Sequence, residues 1–249
     1  MMENKSMQSK NRKIILAGDS WALKAYTNHN YITSNQQLYP EPGDIRLADF
    51  WDVDYKCCFA PGEGNLKILD RIKTLVANDN KIPIVWLFAE PGRDYGKLTG
   101  DYEFHWIESE DIFNIRNNLM EQILKLIRES IPNPVALIGA ASDVDKDLAE
   151  KIGFTVLCSS WQYWIAKKLN RTKHFKFGFG ASDIGWRADY NNVKPSRAAL
   201  FAWDDLIKEW CMWDELGFMC HEHPTPLAHK LFGEDTKQDV LNWIDSVKK

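Results

Sequence analysis

Ser20 stands in "KIILAGDSWALKAY", where a mostly apolar run from Lys13 to Ala17 passes through Gly18 and Asp19 into a segment with helical spacing. A hydroxyl at such a junction lies at the carboxyl end of a strand and the amino end of a helix. The helix dipole and free amides there favour an oxyanion, which suits a serine that must become negative as it attacks. Asp and Ser are also preferred amino-terminal caps, and Gly eases the turn, so the same residues serve equally as a plain helix start. A nucleophilic serine needs a base, and the chain has six histidines. The informative one is His223 in "CHEHPTPLAHKLFG", where Thr225 and Pro226 read as a cap and a first-turn proline. The positive end of that helix disfavours an imidazolium, which keeps the ring neutral and able to take a proton.

The elements that position these residues follow from hydrophobic periodicity. Apolar runs of strand length recur at Lys13 to Ala17, Tyr55 to Ala60, Ile82 to Ala89, Val135 to Gly139 and Phe154 to Cys158. Between them lie stretches of helical spacing. Leu66, Leu69, Ile72 and Val76 share one face, as do Ile112, Ile115, Leu119, Ile123 and Leu126. Runs apolar on both sides, such as "IPIVWLFA", suit parallel strands covered on both faces. The expected fold is α/β: a three-layer α/β/α sandwich around a parallel sheet of about five strands. In such sheets functional residues gather beyond the carboxyl ends of the strands.

The 249 residues, 45% hydrophobic and 27% charged, suit one globular domain over 12–249, after a polar tail at 1–11. Two stretches, near 91–110 and 171–195, break the alternation and read as ordered insertions over the crevice. A net charge of −4 without any long basic run argues against nucleic acid and against an anionic membrane surface. The first dozen residues lack the apolar core of a signal peptide, and no run is long enough to span a bilayer. The expected compartment is therefore cytoplasmic. Five irregularly spaced cysteines fit neither a disulfide framework nor a zinc pair, so reduced thiols are expected.

Gly-Asp-Ser after the first strand and His-Pro before the last helix resemble the first and last blocks of the SGNH hydrolases, also called GDSL-type esterases. The resemblance covers residues 12 to about 235 in block order. It implies a flavodoxin-like fold and ester hydrolysis, often of acetyl groups on sugars, through a serine acyl-enzyme without metal or cofactor. By resemblance Ser20 is the nucleophile and His223 the base. The glycine block corresponds to "CCFAPGEGNLKIL", so the backbone N–H of Gly62 joins that of Ser20 in the oxyanion hole, with Gly64 as the next candidate and Asn65 as a helix cap. A side chain on such a glycine would obstruct the substrate oxygen.

Two blocks depart from the family. Where Gly-x-Asn-Asp should close the third strand, the chain has "IVWLFAEPGRDYG". Asp94 matches the final Asp, which puts Arg93 where the asparagine would be and Pro91 where the glycine would be. A guanidinium can donate to an oxyanion more strongly than an amide, so Arg93 completes the expected oxyanion set; the plainer reading pairs it with Asp94 or Glu90 at the surface. The ending Glu-Pro-x-Arg-Asp resembles a variant in phage-encoded relatives, which would make a virion the alternative location. The triad acid should precede the histidine by three residues or two, where Cys220 and His221 stand. Glu222 is adjacent, but neighbouring side chains of an extended segment point apart. The expected machinery is then a Ser20–His223 dyad, with a backbone carbonyl or a remote carboxylate holding the ring.

Trp21 and Asp94 are the expected substrate contacts. Trp106 and Trp186, in the insertions, are further candidates for stacking on a sugar ring, whereas Trp86 within the third strand belongs to the core. Cys220, His221, His223 and His229 match no common zinc spacing, and the two aspartates of "WDVDY" suit an exposed turn. Two functions remain: a serine esterase acting on a carbohydrate or other small acyl ester, or the same fold kept as a binding or structural module, such as a virion component or glycan-recognition domain. The replaced asparagine and missing acid favour the second.

Overall fold

A computed structural model describes residues 12–19, 22, 46–61, 63–100, 111–140, 143–168, 219–220, 223–224 and 226–248. Five strands form one parallel sheet: β1 (Lys13–Gly18), β2 (Asp54–Phe59), β3 (Ile84–Phe88), β4 (Val135–Gly139) and β5 (Thr155–Cys158), in the order β2-β1-β3-β4-β5. The pairing sets Gly18 beside Phe59 on one side and Leu87 on the other. This is the flavodoxin-like order, and its topological switch point lies between β1 and β3.

Every residue of β1 after Lys13, and all of β3 and β4, are buried. Alternate side chains enter two separate cores, as the period of a strand requires. Ile14, Leu16, Val85, Leu87, Ala136 and Ile138 face one layer, formed by α5 (Trp161–Lys168) and α6 (Pro226–Val247). Ile15, Ala17, Ile84, Trp86, Phe88 and Leu137 face the other, formed by α1 (Asn65–Val76), α3 (Asp111–Ser130) and α4 (Lys146–Ile152). The three-layer α/β/α sandwich is the expected one. No helix of the described residues is long and apolar enough to cross a membrane.

The helix faces needed correction on both α3 and α1. Among the described side chains of α3 the buried ones are Leu119, Met120, Ile123, Leu124 and Ile127, while Leu126 is 36% exposed, and the side chains of Ile112 and Ile115 lie outside the described residues. At 100° per residue the buried arc centres on Ile123, Ile127 and Met120, which leaves Leu126 at its margin. On α1, Leu66 is only partly buried, and Ile68 joins Leu69, Ile72 and Val76 in the core. Of the first insertion, residues 91–100 form a 3-10 turn (Pro91–Asp94) and a short helix α2 (Tyr95–Thr99). The rest of it, and all of 171–195, lie outside the described residues.

The carboxyl-terminal helix is tied to both ends of the early chain. Arg12 grips Asp245 through two hydrogen bonds of 2.9 and 2.7 Å, and Trp51 donates to Thr236 at 3.1 Å. In "WDVDY", Asp52 pairs with Lys237, which assigns it a structural partner. Ahead of α6, β6 (Met219–Cys220) and β7 (His223–Pro224) form a two-stranded antiparallel ladder in which Cys220 opposes His223. That ladder places the backbone of His223 immediately before the helix, as the His-Pro pattern implied.

Candidate active site

The Gly-Asp-Ser turn begins where β1 ends, and Gly18 is required there on two grounds. Its φ is +156°, and a Cβ would lie 2.6 Å from Cβ of Ala22 and 2.9 Å from the backbone oxygen of Leu87. Only glycine allows β1 to run this close to both its neighbour and the following turn. The amide of Ala22, itself a helical residue, donates to the Asp19 carbonyl at 3.2 Å. The Gly18 carbonyl accepts from Ala60 at 3.0 Å, fastening the exit of β2 to the exit of β1.

Asp19 is 0% exposed. Its Oδ2 accepts from Nη1 of Arg93 at 3.1 Å, while the Arg93 side chain keeps 26% of its surface exposed. Arg93 therefore pairs with neither Asp94 nor Glu90 but reaches across the switch point to the residue before Ser20. A buried carboxylate needs such a partner, because removing it from water uncompensated is costly.

Asp94 turns the other way. It is fully buried, and its carboxylate accepts from the amides of Asn65 at 2.6 Å and Leu66 at 3.2 Å, the first two residues of α1. The expected cap, Asn65, is thus inside the helix, and the cap is supplied by a different loop. Asp94, expected among the substrate contacts, has no exposed surface and both oxygens engaged. Burial pushes its carboxyl up to about 6, against the opposing pull of the two amides and of Lys97.

Gly64 precedes α1, and a Cβ there would fall 2.1 Å from Oδ1 of Asp94. Gly64→Ala should accordingly displace the capping carboxylate and cost about 1–3 kcal/mol by overpacking. Gly92→Ala is the control, since its nearest neighbour would be 3.6 Å away. Equal urea midpoints for the two variants would contradict this close approach.

Asn65 is the residue that linear reading undervalued. It is 0% exposed; its Nδ2 donates to the Ala89 carbonyl at 2.9 Å, and its Oδ1 accepts from the Ala89 amide at 2.9 Å and from Nε1 of Trp86 at 3.2 Å. An asparagine does reach the end of β3, but from the β2 side and as a buried clamp. The signal was a polar residue inside an apolar helix start, which reads equally as a cap when the partner strand is unknown.

Residues 90–94 thus tie three neighbouring loops together. Glu90 stiffens the turn by accepting from the Gly92 amide at 3.3 Å, and Pro91 fixes its first dihedral. Arg93 holds the exit of β1, and Asp94 holds the start of α1 after β2. The pieces meet at the carboxyl edge of the sheet, around the switch point where ligands of this topology bind.

Ser20, Trp21, Gly62, Trp106, Trp186 and His221 lie outside the described residues, as does the side chain of His223. His229 is fully buried on α6, its ring edge-on to Trp161 at 5.0 Å between centroids, in an aromatic cluster where Trp161 also stacks on Phe232 at 4.5 Å. Trp86 is core, as expected. Cys58 is buried and its thiol is pushed up to about 11 by desolvation, so this cysteine is a poor nucleophile.

No family model matches the chain, and no curated protein matches it.

Proposed function

We propose that the protein is a serine esterase of SGNH type acting on an acyl ester, with an acetylated carbohydrate as the favoured substrate class. The observation that carries this reading is the Asp19–Arg93 pair, which ties the Gly-Asp-Ser turn to the position of the family's missing asparagine. Pattern and topology support it further: the serine follows the switch-point strand, and His223 precedes the last helix.

In this reading Ser20 attacks the ester carbonyl and His223 takes the hydroxyl proton, then returns it to the departing alcohol. The amides of Ser20 and Gly62, with a remaining N–H of Arg93, receive the oxyanion. Water then attacks the acyl-enzyme, His223 again moves the proton, and the acid leaves. Trp21 offers an apolar face to the substrate.

A fluorophosphonate should label the folded protein at one site and lose that label in Ser20→Ala. The replaced asparagine and the missing triad acid favour one competing reading, a binding or structural module of the same fold with hydrolysis lost. Folded protein that neither labels nor turns over p-nitrophenyl acetate would establish that alternative over the esterase.

A further inference from the structure

We propose that Asp19 is a positioning residue, which holds the Arg93 guanidinium ready as the charged oxyanion donor; the assignment rests on the esterase reading. Among the described residues the Arg93 side chain spends one N–H, at Nη1, on Asp19. Arginine has five such donors in a planar fork, so fixing one corner orients the rest. The backbone beneath it is equally constrained, by Pro91, by the Glu90 bond to Gly92, and by Asp94 anchored to two amides of α1. A long, flexible side chain is thus ordered before any substrate arrives, which is the condition for efficient charge stabilisation.

The burial asymmetry points the same way. Asp19 is wholly buried while Arg93 is a quarter exposed, so the pair is anchored at the carboxylate and open at the guanidinium. A pair serving stability alone has no need of an open face, since apolar residues of similar volume commonly do as well. Asp19 itself is fully buried, so its effect on a substrate would pass through Arg93.

The test compares wild type, Arg93→Ala, Asp19→Asn and the double variant, each checked for folding by circular dichroism, with p-nitrophenyl acetate kinetics and fluorophosphonate labelling rates. Arg93→Ala should lower kcat about 10²–10³-fold with little change in KM, the loss typical of one oxyanion donor. Asp19→Asn should lower kcat about tenfold or more, and the double variant should be no worse than Arg93→Ala, because the two residues act as one unit. Methylguanidinium should restore kcat in Arg93→Ala but not in the double variant, which lacks the carboxylate that would seat it. The double variant leaves no buried charge unpaired, so it decides the matter even where Asp19→Asn alone does not fold. Unlabelled, folded wild type overturns the esterase reading and this assignment together. A labelled, active wild type overturns the assignment alone if Arg93→Ala keeps its kcat, if the two losses multiply, or if rescue ignores Asp19.

Discussion

Asn65→Ala should cost the protein about 3–5 kcal/mol, since it strips hydrogen bonds from three buried groups at once. Those groups are the indole N–H of Trp86 and the amide and carbonyl of Ala89. All three belong to residues with no exposed surface, so water cannot replace the lost partner without entering the core between β3 and α1. For a chain of this size such a loss lowers Tm by about 10 °C or more. Asn65→Asp keeps both acceptor bonds but loses the donor to Ala89 and adds a buried charge beside Asp94, so it should be no milder. The effect should extend to the site, because Asn65 and Asp94 together fix the start of α1 and Gly64 before it. Urea unfolding measures the first claim and fluorophosphonate labelling rate the second. A stability loss under about 1 kcal/mol would mean that the three bonds contribute little net energy.

Strand positions were readable because burial on both faces leaves an unmistakable run: "IPIVWLFA" has no polar residue to interrupt it, and β3 occupies its centre. Helix faces were readable in part: Leu69, Ile72, Val76, Leu119 and Ile123 are buried as expected, whereas Leu126 is exposed and Ile68, Met120, Leu124 and Ile127 join the core, because the arc width depends on which neighbours the helix meets. The site was legible only where a single loop carries its meaning. Gly18 announced a turn and the structure places one there, with a close approach on both sides that demands glycine. Arg93 and Asp94 are neighbours in one turn yet reach partners 74 and 28–29 residues away, on different elements. No local pattern encodes such pairings, because they arise from the order in which strands line up. For the same reason Asn65 passed as a cap: its side chain could bond the helix start or a strand end, and only the placement of β3 beside β1 makes the second possible.

Asp94 carries a large pH effect, and its sign is the reverse of the usual one for a carboxylate. Its folded pKa of about 6 lies above the ordinary value of 3.8, because burial outweighs the amides of Asn65 and Leu66 and the attraction of Lys97. Between those two values the folded chain binds more protons than the unfolded one, so this group's contribution to stability falls as pH rises through the window. The contribution is fully present below about 3.8, lost progressively up to about 6, and flat above, for a total of about 3 kcal/mol. Lys97 lies 3.8 Å from Glu63, so part of its charge is already answered at the surface and it offsets the burial of Asp94 only weakly. Asp94→Asn imitates the protonated state at every pH and removes the titration. The difference in urea-unfolding free energy between wild type and Asp94→Asn, measured from pH 4 to 7.5, should therefore shift by about 2–2.5 kcal/mol of that total against wild type as pH increases. A difference that stays flat, or that moves in favour of wild type, would mean that the helix amides hold the carboxylate charged throughout and that desolvation is the weaker influence at this cap.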